Sequence, residues 1–165
     1  MQQKFEIPPN CLPINFKLDN EWLFNKSMEL PRKQFWYGDK AIKGYRYAPL
    51  HYFKLQKYLE QTLRLKGRWN MKFVYLEPGT KLPWHKDKGT KCAMNWVINH
   101  SKEKLEFKDS SYEYDMAIID TSKEHKVECL RERILFKVSC FDMTYEELCA
   151  EYLTHFIYYQ KNLKK

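Results

Sequence analysis

Residues 71–99 read MKFVYLEPGTKLPWHKDKGTKCAMNWVIN, two runs rich in aromatic and β-branched residues joined by a Pro-Gly turn and a charged loop. The runs at 71–77 and 91–99 have the length and composition of β-strands, and Pro78-Gly79 is a turn signal between them. Two similar runs follow, YDMAIID at 114–120 and RILFKVS at 133–139. Four or more strands at this spacing predict an antiparallel sandwich or barrel.

The flanks carry a different period. PLHYFKLQKYLEQTLRLK (49–66) spaces Tyr52, Leu55, Leu59 and Leu63 at three- and four-residue steps, with Pro49 at its start and Gly67 beyond its end, which predicts an amphipathic helix. TYEELCAEYLTHFIYYQ (144–160) opens with Thr144 and Glu147 in capping-box spacing and carries a stripe of Leu148, Tyr152 and Phe156. A second helix over 144–161 is expected to pack outside the sheet. Residues 1–48 hold prolines at 8, 9, 13 and 31 and the run FWYG at 35–38, and read as an irregular but packed extension. The expectation is one domain over 1–165, with an N-terminal extension and helix (1–70), a β core (71–140) and a C-terminal helix. The fold class is mainly β with flanking helices (α+β).

At 44% apolar and 16% aromatic residues the chain is rich enough in large side chains to fold, which excludes a disordered class. Its formal net charge of +8 favours an acidic partner of some kind, but Lys dominates the excess and is spread along the chain, as on a solvated surface. The five cysteines contain no CxxC pair, so neither a disulfide framework nor a zinc ribbon is indicated. No apolar run has the length of a signal peptide core or a membrane span, and the expected location is intracellular and cytoplasmic. The phosphate-cradling patterns GxGxxG and GxxxxGK are absent.

Chemistry concentrates in LPWHKDKGTK (82–91). Pro83 argues against a helix, and in an extended segment residues two apart project from the same face, so His85 and Asp87 would point together. Imidazole and carboxylate form a mixed N/O pair suited to Fe(II), Mn(II) or Zn(II). A catalytic metal needs a third ligand, from among His51, His100, His125 and His155. His51 and His155 fall in the expected helices and His100 ends a strand. His125, after the strand at 114–120 and eight residues before Arg133, is the one that a jelly roll could return to the pair. Two His and one carboxylate with open positions is the facial triad of non-haem Fe(II) oxygenases.

The segment VYLEPGTKLPWHKDKGTKCAMNWVIN followed by YDMAIIDTSKEHKVECLRERILFKVS resembles the small Fe(II)/2-oxoglutarate-dependent oxygenases, in particular those allied to aspartyl/asparaginyl and prolyl hydroxylases. The resemblance lies in the Pro-Gly turn, the His-x-Asp pair, a second His about forty residues on and a basic residue some eight to ten positions later, over roughly 71–140. It implies a double-stranded β-helix (jelly roll, cupin-like core) in which His85, Asp87 and His125 bind Fe(II), and 2-oxoglutarate and O2 are cosubstrates. It also implies Arg133 as the partner of the distal carboxylate of 2-oxoglutarate, with Arg131 or Lys137 as alternatives. A guanidinium fork suits that role because it meets a carboxylate bidentately and stays charged. Tyr75 and Asn95, on neighbouring strands, are candidates to hydrogen-bond the cosubstrate, and Trp84 a candidate wall. The implied reaction hydroxylates a protein side chain or free amino acid, with release of succinate and CO2.

Three alternatives remain at this level. A basic jelly-roll module could bind nucleic acid without redox chemistry, and an oxygenase of this type could act on nucleic acid, although the RxxxxxR ending of the alkylation-repair oxygenases is missing. A zinc hydrolase would need a general base, for which Glu124 or Glu128 could be proposed. Tyr45 and Arg46, within WYGDKAIKGYRYAP (36–49), are candidate substrate contacts from outside the core.

Overall fold

The structure, a computed structural model, describes residues 5–15, 17–33, 36–37 and 42–163. Among these residues eleven strands and three helices follow one another: β1 (Cys11–Pro13), α1 (Asn20–Lys33), β2 (Trp36–Tyr37), β3 (Tyr45–Pro49), α2 (Phe53–Leu63), β4 (Trp69–Leu76), β5 (Lys81–His85), β6 (Cys92–Val97), β7 (Leu105–Phe107), β8 (Ser111–Tyr112), β9 (Met116–Ile119), β10 (His125–Glu128), β11 (Arg133–Cys140) and α3 (Tyr145–Leu163). All pairings are antiparallel and form two sheets, β1-β9-β6-β11-β4-β3-β2 and β5-β10-β7-β8.

The strands from β4 to β11 pair first with last, second with seventh, third with sixth and fourth with fifth. A long hairpin rolled into two facing sheets produces this order, so the fold is the expected double-stranded β-helix. The turn at the first crossing is the Pro-Gly pair: Gly79 sits at φ +85°, open to glycine, and its N–H donates to the Cys129 carbonyl at 2.7 Å.

Alternation along β11 separates two cores. Ile134, Phe136 and Val138 face outward onto Leu23 of α1, Leu59 and Leu63 of α2, and Leu148 and Tyr152 of α3. Leu135 faces inward with Val74, Leu76 and Val97, against Leu105, Phe107 and Val127 of the small sheet. Because helices cover the outer face, the inner face is free to carry polar groups toward the space between the sheets. The capping box at α3 forms as read: the Glu147 N–H donates to Thr144 Oγ1 (3.2 Å) and the Thr144 N–H to Glu147 Oε2 (2.9 Å). No helix among the described residues is long and apolar enough to cross a membrane.

Two expectations need correction. The described part of residues 1–48 is not irregular: β1 joins the large sheet beside β9, α1 packs on its outer face, and β3 extends it beyond β4. Pro49 ends β3 rather than opening a helix, since Tyr45–Pro49 find ladder partners in β4. Helix α2 therefore begins at Phe53 and stops at Arg64, which adopts the left-handed conformation (φ 50°) short of Gly67. The small sheet was hardly visible in sequence, because its strands are two to five residues long. Phe35, Gly38 and the side chain of Phe156 lie outside the described residues.

Candidate metal centre

The two histidines arrive from adjacent strands of the small sheet. In the β5–β10 pairing His85 stands opposite His125, and a bulge follows, so that Leu82 rather than Pro83 opposes Val127. The bulge lets residues three apart, Leu82 and His85, both face the cavity between the sheets, which a regular strand forbids. Asp87 lies just past β5, where its backbone N–H donates to the Thr121 carbonyl, and its side chain turns the same way as His85.

The side chains converge. His85 Nε2 and His125 Nε2 each lie 3.3 Å from Asp87 Oδ1, with ring centroids 4.4 Å apart, and one donor atom from each residue falls within 4.8 Å of the others. Among the described residues no other group of three or more His, Cys, Asp and Glu side chains comes together in this way. Each imidazole is oriented by its own backbone: His85 Nδ1–H donates to the Pro83 carbonyl at 2.6 Å, and His125 Nδ1–H to the Lys123 carbonyl at 2.8 Å. A carbonyl can only accept, so in the neutral rings Nε2 bears the lone pair, as a metal-ligating histidine requires. Two imidazole nitrogens and a carboxylate oxygen at this spacing fit a divalent first-row metal with open positions.

Opposite the trio, the inner face of β11 presents Arg133, Leu135, Lys137 and Ser139 to a cavity of about 360 Å³. Lys137 Nζ approaches Asp87 Oδ2 to 2.5 Å. Burial by itself would raise the Asp87 carboxyl, but Lys137 and both imidazoles outweigh it and hold the group far below the usual carboxylate range. Burial would likewise depress Lys137, but Asp87 holds it above its ordinary value. The hydrogen bond to Asp87 raises His85 against the effect of burial.

Arg133 is 1% exposed. Its Nη1 donates to the Glu103 carbonyl at 2.7 Å and its guanidinium sits 5.3 Å from the centre of the Tyr114 ring, while its Nε has no partner. No described carboxylate pairs with it, so a full charge is buried in the cavity wall without a counterion. Leu76, Leu82, Leu105 and Val127 close this end of the cavity. Asn95 also lines the cavity: its Nδ2 donates to Tyr114 Oη at 3.1 Å and its Oδ1 is unpartnered.

Other sequence candidates fall elsewhere. Tyr75 packs on the outer, helix-covered face beside Ser27 of α1, so it does not line the cavity. Trp84 follows the strand alternation away from His85, onto the outer face of the small sheet, where Lys108 and Lys126 cover its ring. It is not a wall of the site. Arg131 is exposed and Lys137 is engaged by Asp87, which leaves Arg133 as the one cation of the three that is both buried and without an ion-pair partner. Tyr45 lines the cavity, whereas Arg46 turns to pair with Glu77. Glu124 and Glu128 are exposed and outside the cavity, so a hydrolytic zinc would lack either as a base. Sequence reasoning assigned no role to Lys72, Ser139 or Thr121, all cavity-lining. For Ser139 the signal was its even spacing from Arg133.

No protein-family model matches the sequence, and no curated protein matches it. Among solved structures the chain is similar to a prolyl-4-hydroxylase from Pseudomonas putida, with a TM-score of 0.54 at 13% identity, over 74% of this chain and 86% of that one. It is also similar to a viral collagen prolyl hydroxylase from Paramecium bursaria Chlorella virus-1, whose structure is a complex with 2-oxoglutarate. There the TM-score is 0.51 at 9% identity, over 79% of this chain and 96% of that one. At such identities the likeness is one of fold, the double-stranded β-helix.

Proposed function

We propose that the protein is an Fe(II)- and 2-oxoglutarate-dependent dioxygenase that hydroxylates a protein side chain or free amino acid. The observation that carries this reading is the pairing, within one cavity, of an oriented His-Asp-His trio with a buried guanidinium that lacks a counterion. The trio alone would suit several divalent metals; Arg133 adds a demand for an anion at the closed end. A diacid cosubstrate meets both, with one end at the metal and the other on Arg133. The fold likeness to two prolyl hydroxylases, one of them complexed with 2-oxoglutarate, supports the same reading.

In this reading His85 Nε2, His125 Nε2 and Asp87 Oδ1 hold the metal, and the Pro83 and Lys123 carbonyls keep the rings in the ligating tautomer. Lys137 occupies Asp87 Oδ2 and so presents Oδ1 to the metal. Arg133 anchors the distal carboxylate of 2-oxoglutarate, and Asn95 supplies a further polar contact. The apolar residues at the closed end exclude water, which strengthens the Arg133–carboxylate attraction. The bound metal and cosubstrate supply the oxidising chemistry: R–H, O2 and 2-oxoglutarate give R–OH, succinate and CO2.

Anaerobic titration of the protein with Fe(II) and 2-oxoglutarate tests metal, cosubstrate and site without knowledge of the substrate. A weak visible charge-transfer band should appear, and should be missing in His85→Ala and Asp87→Ala. In air, the wild type should convert 2-oxoglutarate to succinate. Intact turnover in either variant would overturn the assignment.

A further inference from the structure

The cavity carries more positive charge than the metal and cosubstrate account for. Lys72, Lys86, Lys88, Arg133 and Lys137 line it, against a single described carboxylate, Asp87. Asp87 is taken by Lys137, and the proposed cosubstrate would neutralise Arg133. Lys72 remains. It is half-buried on the inner face of β4, directly opposite Lys137 in the β4–β11 ladder, an arrangement in which like charges oppose each other. Among the described residues it has no ion-pair partner, and its Nζ lies 5.0 Å from the centre of the Tyr47 ring.

A second observation points to the same place. Ser139, one ladder step from Lys137 on the same face, is 2% exposed, lines the cavity, and its Oγ has no hydrogen-bond partner. Asn70 stands opposite Ser139 and is exposed, which marks this end as the mouth. Burying a hydroxyl without a partner and an ammonium without a counter-charge are both unfavourable, and one ligand would relieve both. That ligand is not the cosubstrate held by Arg133: Arg133 and the Lys137–Lys72 row lie four residues apart along β11, about 13 Å of strand. Lys72 instead sits one strand over from Lys137, about 5 Å away, beside the trio on the side open to solvent.

Resting on the oxygenase reading above, we infer that the substrate carries an oxyanion, a carboxylate or a phosphate, which Lys72 binds at the cavity mouth with Ser139 and Asn70 beside it. The anion then lies next to the metal trio, so the oxidised carbon is within a few bonds of it. A free amino acid or another small acid fits this better than an uncharged side chain.

The test uses protein loaded with Zn(II), which is diamagnetic and does not turn over, and saturated with 2-oxoglutarate. Sodium acetate and inorganic phosphate are titrated separately, following amide shifts by NMR. Saturable shifts at Lys72 and Ser139 are expected with at least one probe. Its affinity should fall about tenfold in Lys72→Met, the loss expected for one charge-assisted hydrogen bond, and by less in Ser139→Ala. A response to acetate assigns a carboxylate, and a response to phosphate a phosphate ester. Affinity unchanged in Lys72→Met, or displacement of 2-oxoglutarate by the probe, would overturn the inference. Should 2-oxoglutarate itself not bind the wild type, the oxygenase reading fails. The same titrations on the Zn(II) protein still decide whether Lys72 holds an oxyanion.

Discussion

Lys137 Nζ and Asp87 Oδ2 meet at 2.5 Å on the floor of the cavity, joining the centre of the large sheet to the loop that follows β5. The two residues are 50 positions apart in sequence. Their contact makes the carboxylate both a metal-ligand candidate and one half of a buried ion pair.

Removing one partner of a buried pair leaves the other uncompensated. Lys137→Met should lower the stability of the metal-free protein by about 3 kcal/mol. Saturating Mn(II) should restore more stability to the variant than it adds to the wild type, because the metal replaces the lost ammonium. Urea denaturation with and without Mn(II) measures both; equal metal stabilisation in the two proteins would contradict the pairing.

Arg133 and Arg131 should separate cleanly as cosubstrate anchors. Loss of a bidentate, charge-assisted contact in Arg133→Met should weaken 2-oxoglutarate binding about a hundredfold, whereas Arg131→Met should leave it unchanged. The anaerobic charge-transfer titration reads each affinity directly.

Tyr75 and Asn95 provide a paired comparison between the two faces of the large sheet. Tyr75→Phe should leave 2-oxoglutarate affinity at the wild-type value, since the side chain lies on the helix side. Asn95→Ala, on the cavity side, should weaken it several-fold. A reversed order would mean that the inner and outer faces are misassigned.

Lys72 predicts a pH dependence of stability. Burial and Lys137 push its pKa from 10.5 down to about 8. Below pH 8 the residue is protonated in folded and unfolded chains alike, and its full destabilising effect is present. Between pH 8 and 10.5 the folded form releases its proton before the unfolded one, and the effect disappears. Lys72→Met should therefore be more stable than the wild type at pH 7, with the difference vanishing toward pH 10.5. Thermal or urea unfolding of metal-free protein across that range gives the difference curve, and a pH-independent difference would refute the shift.

Much of this site is legible in the sequence. The His-x-Asp spacing, the prolines and the return of His125 before a basic strand pointed to the trio, and the long strands β4, β6, β9 and β11 stood out by their apolar, aromatic content. The small sheet did not, although it carries both histidines. Lys81, Glu106, Lys126 and Glu128 lie on its short strands, so its segments read as charged loops. Strand β3 was missed for a related reason, because the Pro that ends it looked like the start of the next helix.

What the sequence by itself determined was an alternation: Arg133, Leu135, Lys137 and Ser139 on one side of a strand and Ile134, Phe136 and Val138 on the other. It also determined a trio of donor types at jelly-roll spacing. Which side faces the cavity was decided by the tertiary structure, because three helices cover the apolar face and leave the polar one looking inward. The ion pair of Lys137 with Asp87 and the lack of an ion-pair partner for Lys72 among the described residues depend on ladder register and the β5 bulge. These are long-range geometric facts, set by how two sheets pack, and no local pattern of residues encodes them.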